Sequence, residues 1–447
     1  MEARAGIDII QKVPQLTVSI MIITILTSQQ PSPVSGRPRS QDVRGNFFVA
    51  PWTLGGTMNT VISITFSRFR STMTTKIRTI RVEEFEDFMR YLERAFGHSV
   101  DFFRRFGPHI YKPTPEVCAW GYVVEENGKI VSHVGVYPIE VVTAGVPLKL
   151  GGIGGVSTAV EARGKGYMTQ LLYHAIDEMR AQGYSASWLG GDRQRYNTFG
   201  WEGAALSYRL IFSTRSLGRA DIAPAQIEEV RPWEATAHIA RLMPLPDCHA
   251  RRPDLETQLH RADLRVWVTE DGYAIADGQD RDHVKLVELV SASGREVEMI
   301  HAIITWNHGE AATWEVSMWD EARIARIMPY VSYGTAGYSG MYRVNDLTTV
   351  LRAAIPRFEH RAGGLRDFAV TLGIREHDRT QTTTITVRDG AVQIEAGHHA
   401  EHYVELDPIV AARLVFGGPA IPQAPELPPG LLALLPVPVY VPQLDHV

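Results

Sequence analysis

The chain runs to 447 residues, 45% hydrophobic and 21% charged, enough for roughly two to four domains with sizeable cores. Its 45 Lys and Arg against 50 Asp and Glu leave a net charge of −5, which argues against a general nucleic-acid binder and says nothing about the charge of a pocket. Two cysteines, Cys118 and Cys248, make neither a disulfide framework nor a zinc site and fit a reducing cytosol.

The first apolar run, LTVSIMIITIL at 16–26, is too short to span a bilayer. Its length suits a signal peptide, but Glu2 and Asp8 precede it and no small-residue cleavage site follows. Residues 1–72 are therefore expected to be a disordered or misassigned extension, and Met73 opens the first domain. A strand at 76–82 leads into a helix with Phe85, Phe88, Met89, Leu92 and Phe96 at helical spacing, stopped by Gly97. Asn127-Gly128 marks a hairpin between two β-rich runs. A strand over 146–160, a helix over 166–182, a strand over 185–192, a loop with a short helix over 193–204 and a strand over 206–214 follow. This predicts an α/β unit over 73–215.

A second mixed unit, 216–340, partly echoes that order but lacks the glycine turn, with Trp306, Trp314 and Trp319 in its core. A third, α+β unit spans 341–447. It has an amphipathic helix at 344–355, a hairpin around Asp389-Gly390, a helix ending at Gly417 and a Pro-rich tail.

Chemistry concentrates in EARGKGYMTQ (161–170), where strand becomes helix. A Walker loop is excluded, since Gly166 follows Lys165 and Ala159 stands where the first glycine belongs. In GGIGGVS (151–157) Gly152 and Gly154 fit a dinucleotide fingerprint, but Ser157 holds the third glycine place. A glycine turn at a helix start nonetheless aims backbone N–H groups at one point. Gly164 and Gly166 admit a large anion, Arg163 and Lys165 add charge, and a pyrophosphate is the natural occupant. A plain turn with solvated charges remains the alternative from this stretch alone.

The stretch resembles the acetyl-CoA loop of the GNAT superfamily of N-acetyltransferases, Gln/Arg-x-x-Gly-x-Gly/Ala, with Glu161 departing at the first place. Downstream, Tyr196-x-x-Phe199-Gly200-Trp201 is similar to the second acetyl-CoA motif, and most of all to that of the enhanced-intracellular-survival acetyltransferases. The resemblance implies tandem GNAT-like mixed-sheet domains, 73–215 binding the cofactor and 216–340 without a cofactor loop. A sterol-carrier-like α+β domain at 341–447 would follow, its tail reaching the active site. It implies that the amides of Arg163, Gly164, Lys165, Gly166, Tyr167, Met168 and Thr169 hold the pyrophosphate. Val156, Ser157 and Thr158 would pair with the pantetheine arm, and Asp192 would adjoin the acetyl group. Tyr196 becomes the general acid, a phenol able to protonate the departing thiolate. The terminal carboxylate, here on Val447, becomes the base.

The implied activity is acetyl transfer from acetyl-CoA, a co-substrate, to a primary amine by direct attack in a ternary complex. Acceptors would be polyamine-like, aminoglycoside-like or lysine. The protein is expected to be a cytoplasmic homo-oligomer needing no metal, nucleic acid or membrane. No covalent intermediate is expected, because Cys118 lacks an evident His partner. The three histidines of GHHAEH (397–402) are read as a hairpin edge rather than metal ligands. The rival functions are carriage of a lipid or other hydrophobic ligand by the C-terminal domain, and acetyl-CoA binding without turnover.

Overall fold

The computed structural model describes residues 24–26, 61–63, 76–246, 248–376, 379–418 and 426–447. Residues 1–74 form a unit of their own, in which Thr24–Leu26 pairs antiparallel with Val61–Ser63. The rest of the expected N-terminal extension lies outside the described residues.

In the main unit, β1 (Ile77–Thr79) precedes α1 (Phe85–Phe96), whose Phe85, Phe88, Met89 and Leu92 are buried on one face. Gly97 ends it in the left-handed conformation, φ 71°. A short α2 (Phe102–Phe106) follows. Strands β2 (Gly121–Glu126) and β3 (Lys129–Thr143) form the hairpin expected from Asn127-Gly128, whose φ angles of 50° and 74° suit such a tight turn. Next come β4 (Val146–Thr158), α3 (Tyr167–Ala181), β5 (Ala186–Leu189), α4 (Arg193–Tyr196) and β6 (Glu202–Ser213).

The following segment holds β7 (Glu228–Val230), β8 (Cys248–Arg251), β9 (Leu264–Val268), β10 (Gly272–Asp277) and β11 (His283–Ser291). It continues with α5 (Glu296–Trp306), β12 (Ala311–Ser317) and β13 (Tyr333–Val344). Both segments contain a parallel strand pair crossed by one helix: β4 and β5 by α3, β11 and β12 by α5.

All these strands form one mixed 13-stranded sheet, in the order β1-β2-β3-β4-β5-β13-β6-β12-β11-β10-β9-β7, with β8 beside β3. The closing strands are exchanged. β13 enters between β5 and β6, with Met341 opposite Leu189 and Tyr342 opposite Glu202, and β6 lies against β12. The 340/341 boundary expected from the sequence therefore falls inside a continuous strand. The aromatic prediction also needs a correction. Trp314 is buried, but Trp306, at the last turn of α5, is 50% exposed and donates from Nε1 to Glu229 at 2.8 Å.

The last segment carries β14 (Phe368–Arg375), β15 (Thr380–Arg388), β16 (Ala391–Ala396), β17 (Tyr403–Leu406) and α6 (Pro408–Phe416). Its sheet order is β16-β15-β14-β17. The chain's own tail fills this core, for Leu434, Val437, Val439 and Val441 are buried in one cluster with Leu347, Leu351 and Val415. Two of the three histidines are engaged by the backbone: His398 and His399 bond the Ala400 and Ala396 carbonyls at 3.0 and 2.9 Å. Among the described residues, no group of three His, Cys, Asp or Glu side chains is placed to hold a metal.

Candidate active site

Strands β4 and β5 are paired only as far as Gly152 and Trp188. Beyond that point β4 runs on to Thr158 while β5 stops at Leu189, so the strands part and β4 presents an open backbone edge. Gly155, at φ 61°, bulges β4 there, and a Cβ on it would sit 3.0 Å from His133 Nδ1. The buried His133 donates from Nδ1 to the Gly155 carbonyl at 2.8 Å. Burial drives its pKa down to about 4, so the ring is neutral at pH 7. Tyr91 of α1 holds the Ser157 hydroxyl at 3.1 Å.

The open edge leads into the glycine turn. Gly164 and Gly166 take φ of 80° and 79°, where a side chain would be strained. The Gln170 amide opens the helical ladder, donating to Gly166 at 3.1 Å, and the first turn of α3 carries no acidic residue. That leaves a positive helix end facing solvent. The two cations differ. Lys165 is tied to Glu126 at 2.8 Å, whereas Arg163 reaches back to the Thr158 carbonyl at 3.4 Å.

Tyr196 ends α4, which Asp192 caps by accepting the Gln194 amide at 3.0 Å. A second anchor is internal. Arg193 grips the fully buried Glu202 with two bonds of 2.6 Å, and Arg413 of α6 reaches the same carboxylate at 2.9 Å. Burial pulls the Glu202 carboxyl up, but these partners hold it below its ordinary value. Arg343 fixes the next turn, donating to the Phe199 carbonyl at 2.9 Å. Tyr196 itself is 7% exposed, and burial raises its pKa above 10 although Arg195 pulls it back. The phenol stays protonated at neutral pH.

The chain's end is built into the same cleft. A buried arginine, Arg252, makes bonds of 2.9 and 2.7 Å to Asp445 and one of 2.8 Å to Glu288, which Tyr273 also engages at 2.6 Å. Gln258 holds the Leu444 carbonyl at 2.9 Å, and His446 packs on Trp188 with ring centres 4.4 Å apart. Val447 then meets β4 at its glycines. A Cβ on Gly152 would come within 2.7 Å of the Val447 side chain, and one on Gly154 within 3.0 Å of its carboxyl carbon. The GGIGG stretch, set aside as a nucleotide fingerprint, thus makes room for the terminus.

A cleft of about 850 Å³ brings Val156, Asp192, Tyr196 and Val447 together with Trp188 and Gly154. Ser157, Thr158 and the run Arg163, Gly164, Lys165, Gly166, Tyr167, Met168 and Thr169 are not among its lining. They continue from it along β4 into the start of α3. Sequence reasoning missed the Arg252 clamp and an aromatic wall from α1 and α2. Only the wall had a signal, the Phe-rich run at 102–106.

Residues 76–204 match the family model described as an acetyltransferase (GNAT) domain. No curated protein matches the sequence. Among solved structures, Eis1 from Mycobacterium abscessus is similar with a TM-score of 0.56 at 14% identity, covering 83% of this chain and 98% of that one. A GCN5-related N-acetyltransferase from Kribbella flavida gives 0.55 at 18% identity, covering 75% and 88%. One from Anabaena variabilis gives 0.54 at 20%, with the same coverage. Residues 76–204 thus carry a GNAT acetyltransferase domain, and these neighbours share the chain's fold.

Proposed function

We propose that the protein transfers acetyl from acetyl-CoA to a primary amine of a small molecule. One observation carries the reading: a buried tyrosine and the chain's own terminal carboxylate converge on the cleft where β4 and β5 part. The open β4 edge at Val156, Ser157 and Thr158 suits an amide-bearing pantetheine arm. The α3 start from Arg163 to Thr169 suits the pyrophosphate. Asp192 holds the Tyr196 helix beside the acetyl position.

The amine nitrogen attacks the thioester carbon, forming C–N and breaking C–S. The Val447 carboxylate, ionised at neutral pH with an ordinary pKa of about 3.5, accepts the nitrogen's proton. Tyr196 donates to the departing thiolate, and the net products are an N-acetyl amide and free coenzyme A. Polyamines, aminoglycosides and lysine are the acceptors that the sequence resemblance implies. So too are a cytoplasmic homo-oligomer and a sterol-carrier-like last domain. The buried tail, packed through that domain's core, speaks against lipid carriage.

The test is thiol release from acetyl-CoA with a panel of amines. Tyr196→Phe should lower kcat by about a hundredfold or more. Deleting Val447 withdraws the carboxylate by roughly 3.5 Å and should act similarly while acetyl-CoA binding is retained. Full turnover by both variants would sink the acid–base assignment.

A further inference from the structure

The cleft that holds Tyr196 and Val447 has a second half, and its chemistry is aromatic. Phe102 and Phe103 of α2 meet at 5.5 Å between ring centres, Phe103 meets Tyr111 at 5.3 Å, and Tyr111 meets Tyr137 at 5.8 Å. Phe96, 43% exposed, joins Phe103 at 5.4 Å at the outer end. The inner end is the terminus itself, since a Cβ on Gly154 would meet Tyr137 and the Val447 carboxyl carbon at 3.0 Å each. Phe96, Phe102, Phe103 and Tyr111 thus line the cleft as a wall of rings, with the buried Tyr137 behind it next to the terminus.

The charges in the cleft do not favour a polycation. Arg195, Arg209, Arg261 and Lys285 line it against Asp192, Asp277, Glu315 and the terminus. Asp277 is already paired with Arg261 at 2.9 Å and Lys285 at 3.3 Å. Glu315 accepts from Ser207 at 2.8 Å and Gln443 at 2.7 Å, with Arg209 at 3.9 Å. Asp192 accepts the Gln194 amide at the start of α4 and is otherwise exposed. Among the described residues that line it, four cations thus balance four anions, so one ammonium can pair with the terminus but the cleft holds no surplus of negative charge for a second or third.

Resting on the acetyl-transfer reading, we propose that the acceptor is a monoamine whose primary amine is carried on an aromatic body, rather than a polyamine or aminoglycoside. The body lies against the Phe96–Phe102–Phe103 wall and the amine is delivered to Val447. Ring faces also favour a nearby cation.

The experiment compares 2-phenylethylamine with spermidine on the full chain, by thiol release from acetyl-CoA. The kcat/KM for phenylethylamine is expected to exceed that for spermidine by about tenfold or more. Phe102→Ala should raise the phenylethylamine KM by about tenfold, with no corresponding change for spermidine or in acetyl-CoA affinity. Phe103→Leu, which keeps apolar bulk, guards against a fold defect and should move KM in the same direction. Faster acetylation of spermidine would overturn the acceptor class and leave acetyl transfer standing. If acetyl-CoA binds but no amine releases thiol, the acetyl-transfer reading fails. Calorimetry on the CoA-loaded protein then judges the pocket alone: tighter binding of phenylethylamine than of spermidine supports it, and equal or weaker binding overturns it.

Discussion

The molecule contains the same strand–helix–strand device twice, and the two copies are finished in opposite ways. β4 and β5 part after Gly152 and Trp188, and β11 and β12 part after Leu286 and Trp314. The first gap is an open cleft. The second is packed by the tail. Leu444 joins Val287 and Val290 in one apolar cluster, Gln443 bonds Glu315 at 2.7 Å, and beside Tyr440 and Pro442 a cavity of only about 50 Å³ remains. The helix starts differ in the same sense. The turn before α5 has one glycine, Gly294 at φ 74°, and its amides are already used. Ala292 and Ser293 donate to Asp271 at 2.8 and 3.0 Å, and Arg295 donates to Ser291 at 3.0 Å. The buried Glu296 supplies the anion there, paired with Arg326 at 2.9 Å. One copy of the device leaves its positive end exposed, and the other neutralises it from within.

The largest expected effect comes from undoing the packed gap. Arg252→Met leaves the buried Asp445 and the largely buried Glu288 without their cation, a loss of about 3–5 kcal/mol. Thermal or urea melts should show it. Acetyl transfer should collapse because the terminus is released, while the acetyl-CoA dissociation constant in the first cleft stays the same. Undiminished turnover would mean that the clamp does not position the carboxylate.

Acid should separate the two gaps. His133 under the open edge has its pKa lowered by burial from 6.5 to about 4. The unfolded chain binds its proton first, so this stability is complete above pH 6.5 and is lost as pH falls toward 4. The full difference is worth about 3 kcal/mol. At the packed gap burial pushes the Asp445 pKa up, but Arg252 and Gln258 hold it below its ordinary value, so it stays ionised across that window. His109, also lowered to about 4 by burial, carries the same sign as His133. His133→Gln should therefore flatten the pH dependence of the melting free energy without abolishing it. An unchanged slope would remove His133 from the account.

What was legible in the sequence was local. Asn127-Gly128, Asp389-Gly390 and the Gly164/Gly166 turn each state their backbone requirement within a few residues, and each folds as expected. Tyr196 was singled out because its motif lies directly downstream of the turn, and it does line the cleft. The features that finish the site are not local. Arg252 and Asp445 are 193 residues apart, and β13 finds its place between β5 and β6 by pairing across the whole sheet. Neither leaves a periodic or spacing signal. GGIGG was visible, but its purpose depends on Val447, nearly 300 residues later, needing close approach to the backbone. Trp306 was misread for a related reason: a large aromatic is placed in a core by default, and the sequence does not mark where the last turn of α5 leaves it.

The smallest expected effect is also the most direct test of the contrast, because it gives the open helix the acid that the closed one has. Thr169 is exposed in the first turn of α3. Thr169→Glu places a carboxylate where the dipole welcomes it, so the fold should be unharmed or stabilised by about 0.3–1 kcal/mol. The same charge repels a pyrophosphate bound at that end, and the acetyl-CoA dissociation constant should rise by about tenfold. The two readouts move in opposite directions, which a general structural defect cannot imitate. Thr169→Gln, of similar size without the charge, should leave both near the parent values. Acetyl-CoA binding as tight in the Glu variant as in the Gln variant would mean that the α3 start does not hold the pyrophosphate. The difference between the two helix ends would then be one of helix stability alone.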